Sequence, residues 1–414
     1  MLDLVQLHQN IRALDKGDDA SQRQAIRCLR QFEQQDWAAA PAAVFQPLIG
    51  SLQQQLLSGG KPPLVHKEIA EILGKMGPRS KSAVPQLVQL LHEGTPEPVR
   101  EAAAMALGRL GVAARDAVDR LLELASGPGA LAIHAVRALS EIGCADHRVR
   151  TALVSLWLGT AHTQHAQMQI AVALCKLRID AKGLQGFLTG SLIGSQDDAV
   201  RKAAAEALAW CNKNDNNVVP ALLMSTLNDK NETVRLTSQA ALDQLRLSRE
   251  KAILLCAKQL LSSTYAETAL RKSGQPAVPA LIEVLGADVP AARIKAAQLL
   301  AGLGELAAAA VPVLTAALRD RDAEIRLAAA KGLWNVAKNA ELVVPVLIVL
   351  LEEKRAAPRD DSEGRRRFVQ TIIEALWRIG PPAKAAMPAL MDSAKDKNRM
   401  ISESAQNALK RIAP

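Results

Sequence analysis

The sequence is poor in aromatic residues. Only 2% of its 414 residues are Phe, Trp or Tyr, although 49% are hydrophobic and 22% are charged. A large globular core normally uses aromatic rings to fill irregular space. Because the apolar residues here are mostly small and aliphatic, the composition favours regular packing of helix on helix. The high apolar content also excludes a chain that is disordered by composition.

Cysteine pairs are also lacking. The five cysteines are Cys28, Cys144, Cys175, Cys211 and Cys256. Their number is odd, and no two of them form a Cys-x-x-Cys motif. This usage is typical of small buried side chains in a reducing compartment, and it excludes a disulfide framework or a zinc site of the usual spacing.

No apolar run reaches the roughly 18 residues that a membrane-spanning helix needs. The first residues, Met1-Leu2-Asp3, are not a cationic leader followed by an apolar stretch, so we expect no secretory signal. These absences predict a cytoplasmic protein with no membrane partner.

Catalytic motifs are missing as well. The sequence has no glycine-rich phosphate loop, no Gly-x-Ser-x-Gly elbow and no Cys/His zinc spacing. Paired carboxylates such as Asp197 and Asp198 lie at a predicted helix start, where capping accounts for them. We therefore expect no catalytic residue, no metal and no cofactor, and we expect that the protein is not an enzyme.

What the sequence does contain is an internal repeat. The pairs Val278-Pro279, Val311-Pro312 and Val344-Pro345 follow one another at intervals of 33 residues. Val84-Pro85, Val219-Pro220 and Met387-Pro388 belong to the same series. Later in each repeat comes an apolar residue followed by Arg, as in Val99-Arg100, Val200-Arg201, Val234-Arg235 and Ile325-Arg326. Many repeats end in glycine, as at Leu110-Gly111, Ile142-Gly143, Leu303-Gly304 and Ile379-Gly380.

Each part of this pattern predicts a structural element. The proline belongs in the first turn of a helix, where its missing N–H is harmless. Val84, Leu87, Val88 and Leu91 then give one apolar stripe at helical spacing. Acidic residues in the middle turn cap a second helix, and the final glycine provides a left-handed C-cap.

The repeat therefore predicts an all-α fold, an α-α superhelix of about eleven to twelve helix pairs. We expect residues 1–414 to form a single continuous solenoid, because a lone helix pair cannot bury its apolar faces. Four segments stand out within it. They are a capping unit at 1–37, a short atypical unit at 248–274, a charged insertion loop at 352–367 and a second capping unit at 381–414.

The Val-Pro-x-Leu opening, the Asp-x-x-x-Val-Arg turn and the Ala-Leu-x-x-Leu-Gly ending resemble the HEAT repeat. More narrowly, they resemble the short HEAT-like type named for phycobilisome lyases. The resemblance covers nearly the whole chain and implies an armadillo-like helical fold. It implies little about function, because the residues of the repeat serve packing.

In the HEAT family an Asp of the middle turn often pairs with an Arg six residues later, which forms a ladder along the array. The matching pairs here are Asp229 with Arg235 and Asp320 with Arg326. At Arg201 and Arg100 the sixth residue back is Ser195 and Gly94 instead. The resemblance thus implies a partial ladder and a structural role for these arginines.

Catalytic relatives fit poorly. Deoxyhypusine hydroxylases hold two irons through several His-Glu pairs, and this chain has only His92-Glu93. Bilin lyases, which share the short repeat, handle a tetrapyrrole that would require an aromatic and basic pocket. HEAT-like DNA glycosylases bind nucleic acid through a basic face and Trp contacts. The last two classes stay open as a chromophore-handling protein and a nucleic-acid-binding protein.

Two indoles are the first candidates for a binding surface. Trp334 and Trp377 occupy the slot three residues before the end of the second helix, where other repeats have Gly74, Gly108, Ser140 or Ala301. Stacking of repeats predicts that the two rings come close, with Arg326 on the same helical face as Trp334. Exposed Trp beside Arg is typical of a protein-binding hot spot. The alternative is that the rings fill a gap between repeats.

The charged segment 352–367 contributes the other candidates. Arg365, Arg366 and Arg367 open the second helix of their repeat and could bind phosphates or acidic peptides. The nearby carboxylates could instead neutralise them.

The net charge of +9 is unevenly distributed. Residues 1–200 have 20 Lys and Arg against 19 Asp and Glu, a balance of +1, and residues 201–414 have 31 against 23, a balance of +8. Such a basic half can attract acidic partners. We predict a monomeric scaffold that binds protein partners on its concave helix row, and we place the contact region at 300–380. Nucleic-acid binding by the basic half is the alternative.

Overall fold

The computed structural model describes residues 4–57, 61–127, 129–159, 163–356 and 363–413. Those residues form α-helices, short 3₁₀ helices and turns, with no β-strand among them. The chain divides into two compact units, Met1–Cys211 and Asn212–Pro414.

The first unit contains thirteen α-helices in its described residues. They are α1 (Leu4–Lys16), α2 (Asp19–Arg30), α3 (Gln34–Ala39), α4 (Ala42–Leu57), α5 (Pro63–Met76), α6 (Val84–Gln89), α7 (Glu97–Leu110), α8 (Val118–Ala125), α9 (Ala130–Ile142), α10 (His147–Leu158), α11 (Gln164–Lys176), α12 (Leu184–Gly194) and α13 (Asp198–Leu208).

The second unit contains twelve in its described residues. They are α14 (Val218–Asn228), α15 (Glu232–Gln244), α16 (Arg249–Lys258), α17 (Ala266–Ser273), α18 (Val278–Leu285), α19 (Pro290–Leu303), α20 (Val311–Ala317), α21 (Ala323–Ala337), α22 (Ala340–Ala356), α23 (Glu363–Ile379), α24 (Met387–Ser393) and α25 (Arg399–Ile412).

Apart from the short α3, the helices are organised as pairs. We call the first helix of each pair the A helix and the second the B helix, so that α6 and α7 are one pair and α24 and α25 another. Each B helix packs on its own A helix, and successive B helices pack on each other, as α5, α7 and α9 do in the first unit and α19, α21, α23 and α25 do in the second. The described residues contain six pairs in each unit, so the prediction of an all-α fold of eleven to twelve pairs is confirmed.

The apolar stripe of the A helices forms the core of each pair. Val84, Leu87 and Leu91 are at most 3% exposed, and Val88 is half-buried. In the facing B helix α7, alanines and leucines alternate with charged residues, and Ala103 and Leu107 are fully buried. The small aliphatic residues that make the composition unusual thus pack at the contacts between helices.

The prolines follow the prediction with one exception. Pro85, Pro279, Pro312 and Pro388 lie in the first turn of their A helices. Pro345 instead lies inside α22, so the predicted helix start is wrong at this repeat. The helix begins earlier because Asn339 accepts a hydrogen bond from the backbone N–H of Leu342 through its side-chain oxygen, at 3.1 Å.

The terminal glycines have positive φ as predicted, but most are not left-handed helical. Gly111 has φ 61° and ψ −140°, and Gly304 has φ 58° and ψ −133°; Gly143, at φ 73° and ψ 18°, does match the prediction. At Gly111 and Gly304 the chain turns directly into a 3₁₀ helix, Gly111–Ala117 or Gly304–Ala310, that leads to the next A helix. This backbone conformation is almost restricted to glycine.

The predicted segments differ in how well they match helix boundaries. The boundary at residue 37 falls inside α3, whereas the one at 381 coincides with the start of the 3₁₀ helix Pro381–Ala386. The short unit 248–274 contains α16 and the eight-residue α17. Helices α22 and α23 extend further into the predicted loop 352–367 than expected, because Ala, Glu, Lys and Arg are good helix formers. Residues 357–362 of that loop lie outside the described residues.

Among the described residues, the stretch Pro290–Ala317 is long and apolar enough to cross a membrane, since it contains an 18-residue window with a mean hydropathy of 1.8. It is not one straight helix. It comprises α19, a 3₁₀ helix with non-helical φ and ψ at Ala307, and α20, which belong to two successive pairs. The repeat therefore accounts for its apolar content, since each of the two helices packs in a different pair.

Candidate functional site

The recurring Arg of the middle turn binds backbone groups of its own turn. The Arg326 guanidinium donates through Nη1 to the carbonyl oxygens of Asp320 and Arg321, at 3.0 and 3.2 Å. Arg235 donates in the same way to the Asp229 carbonyl at 2.7 Å. At both sites the Arg is thus joined to the Asp six residues before it, through the backbone carbonyl of that Asp.

Arg201 shows why the sixth residue back can vary. Its Nη1 donates to the carbonyls of Ser195 and Gln196, at 3.0 and 3.2 Å. Since every residue has a carbonyl group, the side chain at this place is free to change from Asp to Ser. The contact is therefore kept at this repeat, although Ser195 stands where the HEAT pattern has Asp.

A ladder of ion pairs does join successive repeats in the second unit, with different partners from those predicted. Arg293 Nη1 lies 2.5 Å from the Asp320 carboxylate, and Arg326 Nη2 lies 2.5 Å from the Glu353 carboxylate. Each pair connects a B helix to the next helix pair. Arg293 of α19 reaches the turn after α20, and Arg326 of α21 reaches the A helix α22. Arg326, a predicted partner-binding residue, thus uses its donors within the protein, and its side chain is only 16% exposed.

The two candidate tryptophans lie under different cations. The Lys338 ammonium is 5.3 Å from the Trp334 ring centroid, and the Arg411 guanidinium is 4.8 Å from the Trp377 ring centroid. Trp334 is half-buried, and Trp377 is 42% exposed. The ring contacts among the described residues do not join these indoles to each other. The structure therefore favours Trp377 as the indole available to a partner.

Trp377 lines a groove of about 1010 Å³ between the B helices α23 and α25. Each helix contributes one face at the spacing i, i+3 and i+7. The groove is lined by Gln370, Ile373, Glu374, Trp377, Pro381, Ser404, Asn407, Lys410 and Arg411.

The groove combines an apolar floor with basic and amide groups. Trp377 and Ile373 provide apolar surface, and Lys410 and Arg411 provide two exposed cations. The one carboxylate, that of Glu374, lies 2.6 Å from the Arg378 guanidinium. Cations beside an exposed indole can bind carboxylates, while the ring binds an apolar or cationic side chain. We call these lining residues the Trp377 groove.

Sequence reasoning missed the α25 side of this groove. Ser404, Asn407 and Arg411 share one helical face, and that spacing was the available signal. This spacing alone could not locate the groove, because the pattern of one helix does not show which face of the previous B helix it contacts.

The three candidate arginines of α23 lie outside the groove lining. Arg365 Nε donates to the Lys354 carbonyl at 2.9 Å, and Arg367 forms an ion pair with Glu363 one turn earlier. Arg366 is half-buried. Arg365 thus joins the start of α23 to the end of α22, whereas Arg367 pairs within α23, and neither residue lines the Trp377 groove.

Two of the other clefts in the described part of the chain lie on B helices as well. One, of about 410 Å³, lies between α19, α21 and α23 and is lined by residues such as Gln298, Lys331, Asn335 and Phe368. The other, in the first unit, measures about 620 Å³ between α9 and α11. Its described lining residues are mainly Ala, Gly, Ile and Leu, and they include no aromatic or charged side chain. Such a lining does not suit a tetrapyrrole, whose propionates require cations.

The described residues contain no group of three or more His, Cys, Asp or Glu that could bind a metal ion. Two histidines are partly enclosed, since His66 Nε2 and His134 Nδ1 are buried without a hydrogen-bond partner. They lie on different B helices, α5 and α9. Burial lowers the pKa of His66, as expected for a neutral imidazole.

Comparison with known proteins identifies part of the chain. Residues 49–140 and 84–175 match the family model of HEAT repeats. The match is to HEAT repeats in general, so the short lyase-type subfamily stays a prediction. No curated protein gives a significant match to the chain.

Solved structures give distant similarities. The karyopherin Kap121p, bound to the extreme C-terminus of the protein phosphatase Cdc14p, is 14% identical, with a TM-score of 0.40 over 99% of this chain and 50% of that chain. Kap95p, from a structure with RanGDP, is 14% identical, with a TM-score of 0.40 over 99% and 62%. A chain from a study of cadherin and beta-catenin is 14% identical, with a TM-score of 0.37 over 99% of both chains. This chain spans about half the length of Kap121p, and such scores establish no common function.

Proposed function

Because the chain contains HEAT repeats, we propose that it is a non-catalytic scaffold that binds a protein partner on the B helices of its second unit. Repeat arrays present extended rows of helices, and such rows serve as binding surfaces. A monomeric, cytoplasmic state is part of this proposal, and light scattering of the purified chain tests the monomer.

The observation that carries the proposal is the Trp377 groove. A Trp that is 42% exposed is unusual in a chain with so few aromatic residues, and it lies 4.8 Å under Arg411. Trp and Arg are enriched in the hot spots of protein interfaces, since an indole offers a large apolar surface and a guanidinium forms planar, charge-assisted hydrogen bonds. A groove between two parallel helix faces suits an extended segment or a helix of the partner.

The charges of the groove define the partner further. Lys410 and Arg411 are exposed at its rim, and Glu374 is already paired with Arg378. A partner segment with Asp or Glu beside a large apolar residue would bind its carboxylates to the cations and its apolar side chain to Trp377. The proposed partner is therefore an acidic peptide segment of a protein.

A peptide-display selection against the full chain tests the proposal. We expect enriched peptides that combine acidic and large apolar residues, with affinity reduced about tenfold or more by Trp377→Ala, the size of a hot-spot loss. Arg411→Glu should reduce it similarly. Trp210, which is 38% exposed in the first unit, provides the matched control, since Trp210→Ala should leave affinity unchanged.

Two results would contradict the proposal. Peptides that bind wild-type protein and Trp377→Ala with the same affinity would place the binding surface elsewhere. A specific catalytic turnover by the purified chain would contradict a scaffold role.

A further inference from the structure

Two cysteines that are 36 residues apart in sequence come together in the first unit. The Sγ atoms of Cys175 and Cys211 lie 3.5 Å apart. Cys175 lies in the last turn of α11, and Cys211 lies in the turn that follows α13. Since α11 and α13 are successive B helices that pack on each other, this thiol pair bridges two neighbouring repeats.

We propose that Cys175 and Cys211 form a dithiol site that a peroxide converts to a disulfide, which covalently joins two successive helix pairs of the first unit. Nothing in the HEAT pattern requires cysteine at either position, because other repeats have different residues at the ends of their B helices. The site would respond to oxidants independently of the Trp377 groove, which lies in the second unit.

The geometry permits the bond after a small movement. A disulfide has an S–S distance of about 2.05 Å, so the sulfurs must approach by roughly 1.5 Å. Cys175 is held in a helix and is only 4% exposed. Cys211 lies beyond the end of α13 in a turn, where a change of its side-chain torsion and a small backbone shift can close the distance.

The two thiols have different surroundings, which assigns their roles. The hydrogen bond with Cys211 and burial in α11 raise the pKa of Cys175 well above its usual value. Cys211 is half-buried and therefore more accessible to a small oxidant. Because the thiolate is the nucleophile, Cys211 is the residue that reacts first and Cys175 the one that resolves the intermediate.

The reaction balances with peroxide as the oxidant. The Cys211 thiolate attacks one oxygen of the peroxide, the O–O bond breaks, and Cys211 becomes a sulfenic acid while the other oxygen leaves as water after protonation. The Cys175 sulfur then attacks the Cys211 sulfur, the S–O bond breaks, and the released hydroxide takes the Cys175 proton. Two thiols and one peroxide thus give one disulfide and two waters.

Intact-mass and peptide-mapping analysis of the full chain, treated with hydrogen peroxide, tests the proposal. We expect a loss of two hydrogen atoms per chain and a cross-linked peptide pair that contains Cys175 and Cys211. In Cys175→Ser, Cys211 should stop at a sulfenic acid that a dimedone reagent labels. The matched control is Cys256→Ser, which should cross-link like wild type, because burial leaves Cys256 fully enclosed and raises its pKa to about 12.

The cross-link should also stabilise the first unit. Closing a loop of this length in the unfolded chain is expected to raise the melting temperature by about 5 °C or more, reversibly with dithiothreitol. Cross-links to Cys28, Cys144 or Cys256, or disulfide-linked dimers as the main product, would overturn the proposal. Oxidation of Cys211 to sulfinic acid without any bond to Cys175 would overturn it as well.

Discussion

In several repeats, an arginine side chain binds the backbone of the middle turn of its own repeat. In Arg326 one nitrogen binds two successive carbonyls of its own turn, and another binds the Glu353 carboxylate of the next repeat. The planar guanidinium can make both sets of contacts because its five N–H groups point in fixed directions. One residue therefore determines both the course of the turn and its distance from the following helix pair.

Replacing this arginine should cost stability. We expect Arg326→Ala to lower the free energy of unfolding by about 1–2 kcal/mol, since the partly buried carbonyl of Asp320 and the exposed carbonyl of Arg321 lose their donor and the Glu353 carboxylate loses its ion pair. Arg326→Lys should recover only part of this loss, because an ammonium cannot bind both carbonyls and the carboxylate at once. Urea unfolding followed by circular dichroism measures the difference.

The neighbouring Arg321 provides the control. Its side chain is exposed, so Arg321→Ala should change stability by less than about 0.5 kcal/mol. If both substitutions changed the free energy of unfolding equally, the contacts of Arg326 would contribute nothing to stability. Arg326 would then again be a candidate for binding a partner.

His66 should make the stability of the first unit depend on pH. Burial lowers its pKa below the value of 6.5 that it has when unfolded. Between these two values the unfolded chain binds a proton that the folded chain does not, so stability falls as pH decreases below about 6.5. We expect His66→Leu to lose less stability than wild type between about pH 7 and pH 5, as measured by urea unfolding at each pH.

If the stability curves of wild type and His66→Leu ran parallel over this range, the enclosure of His66 would have no energetic consequence.

Helices α5 and α7, and likewise α7 and α9, approach so closely that the residue between them has no room for a side chain. A Cβ on Gly74 of α5 would lie 2.9 Å from the Cα of Ala106 in α7. A Cβ on Gly108 of α7 would lie 3.0 Å from the Cα of Ala138 in α9. Since these atoms are backbone, no side-chain rotation can relieve the clash. The absence of a side chain at Gly74 and Gly108 therefore permits the close packing of these helices.

Gly74→Ala should therefore destabilise the protein although alanine is the better helix former. We expect a loss of about 1–3 kcal/mol in the free energy of unfolding, the usual cost of overpacking. Gly50, in α4, has no atom within 4 Å of the site of its Cβ. Gly50→Ala should consequently increase stability by about 0.5–1 kcal/mol. Changes of the same sign in the two variants would contradict the close approach of α5 and α7.

How much the sequence predicts is clearest at the level of elements. The period and the apolar stripe identify helix pairs, because both follow from local spacing. The early start of α22 before Pro345 was not predicted, although its cap Asn339 is a local signal in the sequence. The meeting of Cys175 with Cys211 was not predicted either, because it depends on where a neighbouring helix lies, and a single-repeat pattern does not contain that information.

At the scale of the whole molecule, the same limit applies to the candidate site. The sequence selected Trp377 because it replaces a small residue at a repeated slot. It paired this indole with Trp334, whereas the structure places Arg411 over it. Sequence spacing gives the face of one helix, and the facing surface of α25 follows only from how two repeats stack.

Residues 201–414 have a net charge of +8, but fewer of their cations can bind an external anion than this charge suggests. Many of its arginines have carboxylate partners. They include Arg271 with Glu267, Arg293 with Asp320, Arg326 with Glu353, Arg367 with Glu363, Arg378 with Glu374 and Arg399 with Glu403. A cation that is already paired releases fewer counterions when it meets a phosphate, so its contribution to nucleic-acid affinity is small.

We therefore expect fluorescence anisotropy with labelled DNA or RNA to give a Kd no tighter than about 10⁻⁴ M at physiological salt, the weak end of non-specific binding. The double substitution Lys410→Glu and Arg411→Glu should abolish peptide binding in the Trp377 groove while changing this weak affinity little, because it removes two cations from one groove. A micromolar Kd that falls steeply with salt and disappears in the same double variant would contradict the peptide-binding scaffold, since the groove would then serve a polyanion.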